Sequence, residues 1–131
     1  MAESIKNIIY TPRAPRPIGP YSQAVRIGNT LFLSGQIPID PNTGRIVEGG
    51  IEEQTERVLE NIKSIIEDSG FTLRDVAWVL VFLRSLDLYK KFNEVYARYF
   101  GETPPARTTV EVSGLPGEAL LEVTLIAVKE G

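Results

Sequence analysis

Hydrophobic residues along the chain change their spacing several times, and each change marks an element. IKNIIY (residues 5–10) reads as a short strand. TPRAPRPIGPYS follows, with Pro12, Pro15, Pro17 and Pro20 close together. Fixed φ angles and missing amide donors make this stretch extended and bar it from a central strand. Because it lies between two strand-like runs, it is expected to be an ordered loop laid across a surface. QAVRI (23–27) and LFLSGQI (31–37) are β-prone runs separated by Gly28-Asn29-Thr30, a hairpin signal. The second run ends in Ser34-Gly35-Gln36, and a glycine inside a strand marks a bulge or a close approach to the backbone. DPNTG (40–44) reads as a turn.

The period then lengthens. From Ile51 to Ser69 the apolar positions are 51, 55 (the Thr55 methyl), 58, 59, 62, 65 and 66, one helical stripe with the charged residues largely opposite. Acidic residues crowd its first turns, matching the positive end of the helix dipole, and Gly70 is the expected C′ residue. DVAWVLVFLR (75–84) reads as a buried strand. Asp87 is expected to cap a second helix whose apolar face is Phe92, Val95, Tyr96, Tyr99 and Phe100, with Gly101 ending it. ARTTVEV (106–112) and LLEVTLIAV (120–128) are closing strands joined by SGLPGEA. Two helices with one apolar stripe each, beside about six strands, imply an α+β fold of two layers with both helices on one face of the sheet. Nothing in the chain remains to cover the other face, so an oligomer that packs sheet against sheet is expected.

Length agrees with one domain over residues 1–131, and the 43% hydrophobic content is enough for one core. The chain has no cysteine and no histidine. That excludes disulfides, zinc sites built on those ligands, cysteine nucleophiles and imidazole-based serine triads. A net charge of −3 disfavours nucleic acid as a partner. No apolar run approaches the ~20 residues of a membrane-spanning helix, and MAESIKNIIY lacks a signal-peptide pattern, so a cytoplasmic location is expected.

Alternation in the closing strands places the candidate chemistry. Arg107, Thr109 and Glu111 point one way, and Thr108, Val110 and Val112 the other. Leu121, Val123, Leu125 and Ala127 form one apolar face, which leaves Glu122 on the opposite face, flanked by apolar residues. An ionised carboxylate there needs a partner or hydrogen bonds, and Arg107 is a candidate. Two readings stand side by side: a salt bridge within or between subunits, or a site where Arg107 holds an anion while Glu122 handles a water or proton. Ser34 lacks a nucleophile-elbow context, GRIVEGG is not followed by a phosphate-loop Lys, Lys90-Lys91 reads as solvated, and the acidic residues show no metal-binding spacing.

PIGPYSQAV (17–25), LFLSGQIPIDPNTG (31–44), QTERVLENIKSIIEDSG (54–70), PPARTTVEV (104–112) and LLEVTLIAV (120–128) occur in an order that resembles the RidA/YjgF family of enamine/imine deaminases over nearly the whole chain. The resemblance implies a chorismate-mutase-like fold assembled as a homotrimer, with ligand clefts between subunits and no cofactor or metal. It implies hydrolysis of 2-iminobutanoate or 2-iminopropanoate, released by PLP enzymes, to a 2-ketoacid and ammonia. Arg107 resembles the arginine that grips the substrate carboxylate, and Glu122 the acid that positions or activates water. Tyr21, Ser34, Gly35, Gln36 and Asn93 match cleft positions. Thr109 stands where many imine-deaminating members carry cysteine, and Thr124 where an acidic residue is common, which puts substrate range in doubt. The alternatives are a trimer that binds small carboxylates without catalysis, or an RNA-directed member using a patch of Arg13, Arg16 and Arg26.

Overall fold

The computed structural model describes residues 5–130; Met1–Ser4 and Gly131, part of the expected single domain and leaderless start, lie outside the described residues. Six strands form one sheet: β1 (Lys6–Ile9), β2 (Ala24–Ile27), β3 (Thr30–Gln36), β4 (Val76–Leu83), β5 (Ala106–Glu111) and β6 (Leu121–Val128). Their order is β1-β2-β3-β6-β4-β5, antiparallel except for the β4–β5 pair. Two helices, α1 (Ile51–Asp68) and α2 (Tyr89–Phe100), complete the fold. The last strand in sequence inserts between β3 and β4, while α2 supplies the crossover that a parallel β4–β5 pair requires.

Local chemistry explains the element ends. Gly28, at φ +58°, opens the two-residue β2–β3 turn. At the end of α1, Gly70 takes φ +84°, its N–H bonds the Glu67 carbonyl, and the Phe71 N–H bonds the Ile66 carbonyl. These are the two bonds of a Schellman cap, and Arg26 and Lys129 donate to the next carbonyls, those of Ser69 and Gly70. The second helix departs from expectation. Asp87 is not its cap: the Ser85 hydroxyl accepts the Asp87 N–H, a 3₁₀ turn runs over Leu86–Leu88, and α2 begins at Tyr89. Serine at the first break in the backbone intercepts the capping role.

Leu31, Leu33, Val79, Val81, Leu83, Leu121, Val123, Leu125 and Ala127 turn toward the helices and are buried against Val58, Leu59, Ile62, Ile65, Phe92 and Phe100. The opposite face carries Phe32, Ile126 and Trp78 on neighbouring strands, with Phe82 paired to Glu122. Phe32 keeps 42% of its surface open, Trp78 36% and Val128 47%. As the sequence pattern led us to expect, the helices cover one face, and nothing among the described residues covers the other. The accessible area of 7535 Å² exceeds the roughly 6,900 Å² that size scaling gives for a compact monomer.

Candidate functional site

The predicted site residues fall into two groups on opposite faces of the sheet. Arg107 and Thr109 lie on edge strand β5, on the face that meets α2. The Arg107 guanidinium carbon sits 4.7 Å from the ring centre of Tyr96, 5.4 Å from Phe92 and 5.5 Å from Tyr89. Such a bed of π-faces offsets part of the desolvation of a cation without neutralising it. Arg107 Nη2 also donates to the Tyr89 hydroxyl at 3.0 Å. Among the described residues no carboxylate lies within ion-pair distance of Arg107. Leu86, Tyr89, Arg107 and Thr109 line an open hollow of about 430 Å³. Glu111, third residue on the same face, accepts the Leu86 N–H at 2.8 Å and ties the approach to α2 onto the strand end.

Asn93 stands one turn along α2 from Tyr89. Its amide, as a hydrogen-bonding neighbour of the Tyr89 hydroxyl, and Arg107 draw that phenol below the usual tyrosine range. Asn93 Oδ1 and the Tyr96 hydroxyl are buried without a hydrogen-bond partner. Burial pushes the Tyr96 phenol upward, against the smaller opposing effect of Arg107.

The second group gathers at the β3–β6 boundary. Glu122 is half-buried, and desolvation raises its carboxyl pKa. Its carboxyl group lies over Gly35: a Cβ on that residue would fall 2.8 Å from Glu122 Cδ. The β3–β6 register also shifts between Leu33 and Gln36. Both meanings of a strand glycine, bulge and close approach, therefore apply at Gly35.

Ser34 is committed to structure, its hydroxyl donating to the Ser22 carbonyl at 2.5 Å and its N–H to the Gln23 carbonyl. Tyr21, Gly35 and buried Gln36 line a narrow cleft with Pro15, Ile18 and Gln23. The Tyr21 hydroxyl accepts the Ile18 N–H at 3.2 Å. Gln23, which the sequence reading passed over, organises this loop. Its buried amide accepts from Thr11 N and donates to the carbonyls of Thr11, Ala14 and Pro15. Proline-rich backbone has few N–H donors of its own, so one glutamine supplies them.

One expectation is overturned: within a chain, Arg107 and Glu122 are not partners. Arg107 pairs with Val79 of β4, on the core face, whereas Glu122 pairs with Phe82, on the open face. Strand β4 lies between β5 and β6, and strand alternation sends the two side chains to opposite sides. The arginine patch considered for RNA is also largely engaged. Arg13 bridges Asp68 and Glu67, and Arg26 stacks 5.0 Å over Phe71 while donating to the Gly28 and Ser69 carbonyls.

Among the described residues no helix is long and apolar enough to cross a membrane, and no cluster of three or more acidic side chains is placed to hold a metal ion. The sequence profile of the family described as Endoribonuclease L-PSP matches residues 11–129. A RutC family protein of Pyrococcus abyssi is 58% identical over 125 residues, covering 95% of this chain and 98% of the relative. A 2-iminobutanoate/2-iminopropanoate deaminase of Dermatophagoides farinae is 43% identical over 127 residues, covering 97% and 99%. The crystal structure of YyfA from Yersinia pestis, of the conserved Rid protein family, superposes with a TM-score of 0.91 at 45% identity, covering 95% and 99%.

Proposed function

The chain belongs to the endoribonuclease L-PSP family, that of the RidA/YjgF proteins, and on that premise we propose that it hydrolyses reactive 2-imino acids to 2-ketoacids and ammonia. The observation that carries this reading is Arg107: a guanidinium held on three aromatic rings, with no carboxylate partner among the described residues, at the rim of an open hollow. A substrate carboxylate is the planar anion that an arginine fork accepts best. The carbon of a 2-iminium is already electrophilic, so catalysis needs an anchored substrate, an oriented water and a base. Glu122, half-buried with a raised pKa, takes one water proton as oxygen adds to that carbon, returns it to nitrogen, and takes the hydroxyl proton as the C–N bond breaks and ammonia leaves the ketone.

These two residues lie on opposite faces of one sheet, so a complete site needs a second copy of the chain. The open apolar face around Phe32, Trp78 and Ile126 gives that copy a surface to pack on. Full burial of a large apolar side chain contributes about 1.5–3 kcal/mol, enough for a few such residues to favour assembly. A homotrimer with Arg107 of one subunit approaching Glu122, Gly35 and Tyr21 of the next satisfies both needs.

The test is ammonia release from freshly generated 2-iminobutanoate and 2-iminopropanoate. Arg107→Ala is expected to lower kcat/KM about 100-fold or more, as loss of an anchoring charged hydrogen bond and of alignment does together. Wild-type turnover no faster than the buffer reaction, or full activity in the variant, contradicts the reading. RNA cleavage that persists in both R107A and E122Q marks a different activity.

A further inference from the structure

Arginine reaches its site through a flexible stem, and a carboxylate clamp works only if the fork is turned the right way. Ring faces fix the plane in which a guanidinium lies but leave rotation within that plane free. Here one contact removes that freedom: Arg107 Nη2 donates to the Tyr89 hydroxyl at 3.0 Å. Tyr89 is the first residue of α2, and Asn93, four positions on, shares its helix face. Tyr89 and Arg107 both line the hollow that receives the ligand.

We propose that Tyr89 is the positioning residue of the carboxylate clamp, its hydroxyl holding the Arg107 fork toward the hollow. This rests on the reading of Arg107 as the anion anchor. Thr109 and Leu86 then shape the hollow beside the clamp, while the remaining guanidinium N–H groups meet the ligand.

Binding of 2-oxobutanoate and of its uncharged methyl ester to the intact protein, measured by calorimetry, tests the proposal without turnover. Wild type is expected to prefer the acid, and Arg107→Ala to lose that preference. Tyr89→Phe, which keeps the ring, is expected to bind the acid about 5- to 10-fold more weakly, the effect of one ordinary hydrogen bond, and the ester unchanged. In turnover of 2-iminobutanoate, Y89F is expected to raise KM by a similar factor with kcat nearly constant. Acid preference lost in R107A but fully kept in Y89F overturns the role of Tyr89 alone. Equal weakening of acid and ester in Y89F also overturns it, since that reports a damaged hollow. No acid preference in wild type removes the Arg107 anchor itself, and the positioning role with it.

Discussion

The two faces of the sheet prepare opposite charges by opposite means. On the helix side Arg107 is surrounded: three rings and a phenol hydroxyl hold its guanidinium, with no carboxylate at ion-pair distance among the described residues. On the open side Glu122 is defined by what is missing, because its carboxyl group occupies the space a side chain at Gly35 would fill. Arginine resists deprotonation under all ordinary conditions, so it tolerates a crowded, partly dry setting. A carboxylate responds to the same dryness by a rise in pKa, which suits a group that must accept and return a proton.

Substitution at the small residue breaks the contrast most severely. Gly35→Ala puts a methyl where the Glu122 carboxyl group lies, so the Glu122 side chain must swing aside. Activity is expected to fall about 100-fold, in line with the cost of displacing a catalytic group by an ångström, with little change in stability because only a half-exposed, flexible side chain has to yield. Steady-state kinetics and a thermal melt read both. Unchanged kinetics would show that the Gly35–Glu122 contact has no part in turnover.

The pH response sharpens the comparison with a smaller effect. Folding raises the Glu122 pKa, so the folded chain binds more protons than the unfolded one between the ordinary glutamate value and the raised one. Stability contributed by this group therefore falls as pH rises through that window. Activity moves the other way, because the ionised form is the base: kcat is lost as pH falls through the raised value. Glu122→Gln is expected to flatten the first profile and remove most activity, read by melts and rates across the acidic range. An acidic limb at or below the ordinary glutamate value contradicts the assignment of Glu122 as the base.

Much of this contrast was legible in the chain before any coordinates. Two-residue alternation assigned Leu121, Val123, Leu125 and Ala127 to the core and Glu122 to the other face, because a strand buried on one side must alternate. Gly35 is legible from a different local rule, that a glycine inside a strand marks a bulge or a close approach. The strand order was not legible. Arg107 and Glu122 sit in consecutive strands, which invites a pairing, yet β4 comes between them. That choice rests on how α2 crosses over, a long-range property without a local motif. Tyr89 and Gln23 escaped notice for a related reason. Their partners lie 18 and 12 residues away in sequence, at Arg107 and Thr11, and only the folded chain brings them together. Asp87 lost the capping role because Ser85, two residues earlier, reaches the backbone first.

The claim on which the rest depends is that the anchor and the base of one site belong to different subunits. Mixing tests it: inactive R107A and E122Q proteins are dissociated together and reassembled at equal proportions. In a random assembly with shared sites, about one site in four unites an intact Arg107 with an intact Glu122. Recovery of about a quarter of wild-type imine hydrolysis is expected. If the mixture is no more active than its parents although mass spectrometry shows mixed assemblies, the two residues do not meet across a subunit boundary.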